Sequence, residues 1–109
     1  MAPLPLAGGR GASVDAVASF VDGIGSGSVL ADMWPVAREL LDGSLVSTLA
    51  EVAEAVRVLA ERNRVIIEGA AACAVAAALS GRAGAGKVVA IVSGGNVDLE
   101  KFGKMVGAA

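Results

Sequence analysis

The spacing of hydrophobic residues predicts one clear helix, over residues 48–63. Hydrophobic positions recur there at intervals of three and four residues, while charged side chains occupy the opposite face. Thr48 and Glu51 stand in the order of a capping box, in which each side chain bonds the backbone N–H of the other. We interpret the charges along this helix as a solvated face rather than as a site.

Two shorter helices are predicted from their end signals. Residues 33–41 have Pro35 in a position suited to a first helical turn, and Asp42-Gly43 follows. Asp98 is suited to cap a last helix over residues 99–106. Both helices therefore have a defined start in the sequence.

An alanine-rich stretch follows Glu68 and continues to Leu79, where Ser80-Gly81 predicts its end. It is apolar on nearly all sides, so we expect this helix to be buried. Its one cysteine, Cys73, is interpreted as a small buried residue rather than a reactive thiol.

The remaining hydrophobic segments predict strands. Residues 87–92 form a continuous run rich in β-branched side chains, which is typical of a strand covered on both faces. Residues 44–47 are predicted as a short strand and residues 65–67 as an extended connection. Strands that alternate with helices indicate an α/β fold with a layered parallel sheet and flanking helices. Residues 1–12, rich in Pro and Gly, are predicted as a flexible lead-in to a single domain over residues 13–109.

The amino-acid composition and charge exclude several classes of function. The chain has 109 residues, a net charge of −2 and 55% hydrophobic residues, so we expect some apolar surface to meet a partner. Basic residues are dispersed among acidic ones, which argues against nucleic-acid binding. The absence of His and Tyr from the sequence removes His-based metal clusters and Ser-His-Asp catalysis.

No segment predicts a membrane span or a secretory signal. The longest apolar block, residues 70–79, is roughly half of the ~20 residues that a membrane-spanning helix needs. The amino-terminal residues lack a basic region followed by an apolar core. We therefore expect a cytoplasmic protein that does not insert into a membrane.

Two glycine-rich stretches are candidate ligand sites. Residues 81–87 match the letters of the phosphate-loop pattern GxxxxGK. That loop requires a strand before it, a helix after it and a hydroxyl residue after the lysine, but here Val88 follows Lys87. We interpret this stretch as a helix end and a connection.

The second stretch, Ser93-Gly94-Gly95-Asn96, follows the predicted strand and precedes the last helix. Ligands of open α/β sheets bind at the carboxyl ends of strands, so its position suits a binding site. Ser, Gly and Asn are also ordinary residues of a structural turn. Its spacing alone leaves both interpretations open.

Three segments together resemble a known family. Residues 20–25 (FVDGIG), 39–81 and 87–102 (KVVAIVSGGNVDLEKF) resemble the carboxyl-terminal part of the catalytic domain of pyridoxal-phosphate-dependent serine/threonine dehydratases. This fold type II family includes serine racemase and threonine ammonia-lyase. The shared features, in the same order, are a DGI segment, a helix ending in a basic stretch, a Glu-Gly-Ala block and an SGGN turn. Ala71 stands where the block usually has its second glycine, and the DGI segment is given only a structural role.

The resemblance assigns cofactor-binding residues. Ser93 matches the serine whose hydroxyl hydrogen-bonds the pyridine nitrogen of pyridoxal phosphate. Gly94 and Gly95 match the glycines that let the ring approach, and Asn96 continues the turn. Glu68 matches a glutamate near the ring, although a carboxylate is also favoured at a helix start for electrostatic reasons.

Other family motifs are not in this sequence. The resemblance places the Schiff-base lysine, the loop for the substrate carboxylate and the phosphate loop upstream of the matching part. Lys87, Lys101 and Lys104 are not expected to act as nucleophiles, so no catalytic residue and no metal ligand is assigned. We accordingly expect weak or no pyridoxal-phosphate binding by the chain alone.

Two functions remain open. In the first, the chain is a segment of a threonine/serine dehydratase and is inactive alone. Such an enzyme removes water from hydroxy amino acids by β-elimination. Alternatively, the chain is a stand-alone non-catalytic α/β interaction or oligomerisation module derived from that family. The expected partners are the missing remainder of the catalytic domain or further copies of the chain in a homo-oligomer.

Overall fold

The computed structural model describes residues 17–24 and 26–108. The predicted lead-in over residues 1–12 and the expected domain start near Ser13 lie outside these ranges. The described part contains a 3₁₀ turn, a π-helical turn and four α-helices. In chain order these are the 3₁₀ turn Asp22–Ile24, α1 Trp34–Leu40, α2 Leu49–Val58, the π-helical turn Leu59–Asn63, α3 Gly69–Leu79 and α4 Leu99–Ala108.

The predicted helices are confirmed. α1 has a proline in its first turn. The Thr48 backbone N–H donates to Glu51 Oε2 at 2.7 Å, and the Glu51 N–H donates to Thr48 Oγ1 at 3.2 Å, so the capping box forms at the start of α2. These reciprocal bonds satisfy two backbone donors that a helix leaves unpaired at its first turn.

The end of the long predicted helix has a feature that the sequence did not reveal. Its last turn, after α2, is π-helical, and Arg64 then adopts a left-handed conformation with φ 58°. The Val65 N–H donates to the Leu59 carbonyl at 3.2 Å across this turn. The left-handed residue reverses the chain direction, after which residues 64–68 run without helix, as predicted for residues 65–67.

The core lies where α2, α3 and α4 meet. Small alanine side chains on α3 let the helices approach closely, and the larger side chains fill the space between them. Ala71, in place of the second glycine of the family block, is fully accommodated in this core. Its buried members are Val52, Ala55, Val56, Ile67, Ala71, Ala72, Val75, Ala76 and Met105.

The expected burial of α3 on all sides is only partly right. The face toward the core is buried, whereas Ala74 and Leu79 are exposed and Ala70, Ala77 and Ala78 are half-buried. Helices pack against one side of α3 in the described part of the chain. The outer face has no layer over it there, because no described sheet covers it.

The predicted strands do not form within the described residues. Apart from a single bridge residue at Ser44, residues 44–47 and 87–92 have no strand structure, so the layered parallel sheet is absent from this part. A strand is stabilised by hydrogen bonds to a neighbour, and one backbone bond, from the Glu68 N–H to the Gly94 carbonyl at 3.1 Å, links residues 64–68 to the neighbourhood of residues 87–92. The hydrophobic pattern correctly marks these segments as non-helical, but it does not supply their partners.

The GRAGAGK stretch is a helix end and a connection, as predicted. Gly81 has φ 78° directly after the end of α3. Arg82 then donates through Nη1 to Glu51 Oε1 at 2.8 Å and through Nη2 to Glu51 Oε2 at 3.0 Å and to the Val46 carbonyl at 2.8 Å. This Arg82 clamp ties the end of α3 to the start of α2.

The clamp also sets the ionisation of Glu51. Hydrogen bonds from Arg82, supported by the Thr48 backbone N–H, lower the pKa of the Glu51 carboxyl to about 2. The carboxylate is therefore charged at neutral pH and serves both the helix cap and the clamp.

Across residues 17–24 and 26–108, no helix has both the length and the hydrophobicity to cross a bilayer.

Candidate functional site

The SGGN turn is anchored at its carboxyl end by the start of α4. Asp98 Oδ1 accepts a hydrogen bond from the Lys101 backbone N–H at 3.1 Å, which confirms the predicted N-cap. The Val97 N–H donates to the Gly95 carbonyl at 2.9 Å, which closes the turn just before the helix. The turn therefore leads directly from residues 87–92 into α4.

Glu68, which the resemblance also places near the cofactor ring, lies against this turn. Besides the backbone bond to Gly94, its side chain occupies the space that a side chain on Gly94 would need: a Cβ there would lie 2.5 Å from Glu68 Oε1 and 2.9 Å from Cδ. Two predicted site residues that are far apart in the sequence are thus in contact. A side chain at position 94 would have to displace the carboxylate of Glu68.

Gly23 of the DGI segment faces the same carboxylate. A Cβ on Gly23 would lie 3.2 Å from Glu68 Oε1 and 2.9 Å from the Cβ of Ala70. The Glu68 side chain is consequently packed between two glycines from opposite ends of the chain. This contact gives the structural role of the DGI segment a concrete cause.

The remaining turn residues differ in their surroundings. A Cβ on Gly95 would lie 3.0 Å from the Ile66 carbonyl oxygen, so this glycine allows close approach of two backbone segments. Ser93 is exposed, and its hydroxyl forms no hydrogen bond with any described residue. Asn96 is also exposed and lines a cleft that it shares with Glu68.

That cleft has a volume of about 100 Å³ and carries three carboxylates, one amide and one ammonium group. A complete pocket for a small molecule measures roughly 300–1,000 Å³, so the cleft would enclose only part of such a ligand. Of its members, Glu68 and Asn96 were predicted as site residues, and the others were not because a chain pattern does not show which residues meet. The lining residues are Phe20, Asp22, Glu68, Asn96, Val97, Asp98, Lys101 and Met105.

The lysines are placed at the surface or at the cleft. Lys87 is exposed, Lys101 lines the cleft, and Lys104 Nζ forms an exposed ion pair with Glu100 Oε1 at 3.1 Å. Within residues 17–24 and 26–108, no group of three or more His, Cys, Asp or Glu side chains is arranged to hold a metal ion.

Cys73 was predicted as a buried residue but is only half-buried. It lies on α3, apart from the cleft, where it borders an apolar groove of about 300 Å³. Its thiol is directed to the Gly69 carbonyl, with Sγ 3.6 Å from that oxygen. Burial raises the pKa of this thiol, so the group is protonated and unreactive at neutral pH.

Sequence comparison finds relatives over most of the chain. The family described as pyridoxal-phosphate dependent enzyme matches residues 3–94. The L-threonine ammonia-lyase of Geobacter sulfurreducens is 32% identical over 100 residues, which are 90% of this chain and 25% of that protein. The catabolic L-threonine dehydratase TdcB of Escherichia coli K12 is 37% identical over 78 residues, which are 68% of this chain and 24% of that protein. The chain spans about a quarter of the length of these curated relatives.

Structural comparison gives the same result. The processed form of threonine deaminase isoform 2 from Solanum lycopersicum superposes with a TM-score of 0.75 and 26% identity, over 89% of this chain and 29% of that one. A pyridoxal 5'-phosphate-dependent aspartate racemase superposes with a TM-score of 0.73 and 31% identity, over 81% of this chain and 29% of that one. The chain therefore shares the backbone fold of a part of these structures.

Proposed function

The chain belongs to the family of pyridoxal-phosphate-dependent enzymes, and we infer that it forms the pyridine-nitrogen side of the cofactor pocket of a threonine dehydratase. Relatives named threonine ammonia-lyase and threonine dehydratase support this reaction class for threonine. Serine, as a second hydroxy amino acid, enters the proposal from the resemblance of the sequence motifs alone. Because the chain spans about a quarter of these relatives, we propose that it is inactive alone.

The observation that carries this proposal is the contact between Glu68 and Gly94 beside an exposed Ser93. The contact fixes the turn, and the Ser93 hydroxyl next to it has no partner among the described residues. An exposed hydroxyl on a fixed turn can bind a heteroaromatic nitrogen. The residues present therefore fit one side of pyridoxal phosphate, and the cleft of about 100 Å³ is consistent with an incomplete pocket.

Bound pyridoxal phosphate supplies an electron sink for the negative charge that develops at the α-carbon of the amino acid. The part of this chain is to bind and orient. The Ser93 hydroxyl would donate a hydrogen bond to the ring nitrogen, and such a neutral donor would leave that nitrogen largely unprotonated. Glu68 positions the turn through Gly94, and Gly95 keeps the turn close to the Ile66 carbonyl.

Three further parts of the proposal concern the whole domain. Residues 87–92 form a strand of a layered parallel sheet once neighbouring strands are present, because such a run is typical of a strand covered on both faces. The resemblance places the phosphate loop outside the matching segments, so we expect weak or no binding of pyridoxal phosphate by the chain alone. The chain functions in the cytoplasm, together with the remainder of a catalytic domain.

An alternative is a stand-alone non-catalytic interaction module. The observation that favours it is that α2, α3 and α4 bury a hydrophobic core among themselves. Exposed hydrophobic side chains at residues 87–92 would then contact a protein partner.

A titration followed by nuclear magnetic resonance tests the proposal. Pyridoxal phosphate at millimolar concentration should shift the backbone amides of residues 93–96, and Ser93→Ala should reduce the binding. Ser44→Ala is the matched control, since Ser44 is also exposed and its hydroxyl bonds no described residue. Unchanged amides at residues 93–96, or equal binding by both variants, would contradict a pyridine-nitrogen site here.

A further inference from the structure

The chain around the 3₁₀ turn Asp22–Ile24 packs directly on the start of α3. A Cβ on Gly69, the first residue of α3, would lie 2.7 Å from the Phe20 carbonyl oxygen and 2.9 Å from Phe20 Cδ2. Gly69 is buried, and the nearer of these two atoms belongs to the backbone, so it cannot turn aside as the end of a side chain can. Gly69 therefore allows a close approach of the two segments that a side chain would prevent.

The core fixes the same segment from its other side. The Phe20 and Val21 side chains pack against the core, and the Val21 N–H donates to Ser19 Oγ at 3.1 Å. These contacts bring Gly23 against the Glu68 carboxylate. The 3₁₀ turn is consequently a fixed boundary on one side of that carboxylate.

Packing on two sides selects the conformation of the Glu68 side chain. A glutamate has several staggered rotamers, and Glu68 is half-buried between Gly23 and Gly94. We propose that the 3₁₀ turn is a positioning element for the SGGN turn, because it keeps the Glu68 carboxylate against Gly94 and thereby orients Ser93. The role in cofactor binding rests on the proposed function, whereas the coupling between the two turns does not.

Two routes join Glu68 to Gly94, and substitutions can separate them. One is the backbone bond from the Glu68 N–H to the Gly94 carbonyl at 3.1 Å, and the other is the contact of the Glu68 side chain. Glu68→Ala removes only the second route. Gly23→Ala would displace both the Glu68 carboxylate and the Cβ of Ala70, so in a Glu68→Ala background it acts on Ala70 alone.

Nuclear magnetic resonance of the chain without cofactor tests the coupling. Gly23→Ala should shift the backbone amides of Gly94 and Gly95, and this shift should fall at least about threefold in the Glu68→Ala background. The amides of residues 69–71 should shift equally in both backgrounds, since the overlap with Ala70 remains. Glu68→Gln, whose side chain has the same shape, should retain the full shift at Gly94 and Gly95.

Gly107→Ala is the matched control, because Gly107 is exposed on α4 and a Cβ there meets nothing within 4 Å. It should leave the amides of Gly94 and Gly95 unchanged, and circular dichroism should show that all variants keep their helices. No shift at Gly94 and Gly95 with Gly23→Ala would overturn the positioning role. An equal shift in both Glu68 backgrounds would also overturn it, because the backbone would then carry the effect.

A titration with pyridoxal phosphate connects the coupling to the cofactor. Gly23→Ala should raise the dissociation constant roughly threefold when Glu68 is present and leave it unchanged in the Glu68→Ala background. Equal weakening in both backgrounds would overturn a role in cofactor binding. A lack of binding by the unmodified chain would contradict the proposed function, whereas the amide shifts without cofactor decide the coupling on their own.

Discussion

The core between α2, α3 and α4 and the segment of residues 87–96 are both rich in small and hydrophobic residues, yet they differ in how complete they are. The helices satisfy their backbone hydrogen bonds internally and bury one face against each other. Residues 87–92 have no regular secondary structure, are mostly exposed and form no backbone hydrogen bond with another described residue, and the turn after them contacts Glu68. A helix therefore finds its hydrogen-bond partners among nearby residues, whereas a strand needs partners that are distant in the chain.

The strongest test of this contrast compares two adjacent isoleucines. Ile67 is 1% exposed and belongs to the core, whereas Ile66 is 52% exposed. Ile67→Ala should lower the free energy of unfolding by about 2–5 kcal/mol, since it leaves a cavity among α2, α3 and α4. Urea denaturation measures the change. Ile66→Ala is the control and should cost far less, and equal losses for the two variants would contradict the placement of the core.

Gly94→Ala tests whether the turn is as tightly held as the core. Its new Cβ would overlap the Glu68 carboxylate, which is the movable end of a flexible side chain. We therefore expect that side chain to turn aside, at a loss of about 0.5–1.5 kcal/mol in the free energy of unfolding. Glu68→Ala in the same chain should recover most of that loss by removing the overlap.

The helical glycine Gly103 provides the matched control. A Cβ on Gly103 meets nothing within 4 Å, and this residue lies inside α4. Gly103→Ala should therefore stabilise the chain by about 0.5–1 kcal/mol. If Gly94→Ala were as well tolerated as Gly103→Ala, the contact between Glu68 and Gly94 would be incorrect.

The helix start is the next smaller test. Thr48→Ala removes the side-chain acceptor of the capping box and should lower the free energy of unfolding by about 1 kcal/mol. Thr48→Ser retains the hydroxyl and should be nearly neutral. Thermal unfolding followed by circular dichroism distinguishes them, and similar melting temperatures for both would mean that the cap contributes nothing.

The smallest expected effect is the acid dependence of the Arg82 clamp. Because the pKa of Glu51 is about 2 in the folded chain and 4.5 without its partners, the clamp stabilises the fold fully above pH 4.5. This contribution is lost as the pH falls from 4.5 toward 2, where the folded-state carboxyl becomes protonated. Glu51→Gln should flatten the acid limb of a stability profile.

A control for that profile is Glu54→Gln, which changes an exposed carboxylate whose Oε2 lies 3.6 Å from Arg57 Nη1. Exposed ion pairs of this kind contribute little to stability, so the acid limb of Glu54→Gln should stay close to that of the unmodified chain. An acid limb that is equally steep with Gln at position 51 would show that the clamp does not stabilise the fold.

The sequence predicted the helices well and the site in part. Helix spacing, the capping box and the Asp98 cap are local signals, and all three are confirmed. The family resemblance selected Glu68 and Ser93, but it did not show that the Glu68 side chain occupies the space beside Gly94 and Gly23. The Arg82 clamp was also missed, because Arg82 and its two partners, Glu51 and the Val46 carbonyl, are brought together only by the packing of α3 against α2.

By itself, the amino-acid sequence determined the positions of the helices, the non-helical character of residues 87–92 and the membership of a family. These properties depend on residues within a few positions of each other, or on the order of short motifs. The tertiary structure decided that Glu68 contacts Gly94, that Arg82 binds Glu51, and that residues 87–92 pair with no strand among residues 17–24 and 26–108. Such properties depend on which distant residues meet, since a side chain or a strand edge is satisfied only by a partner in space.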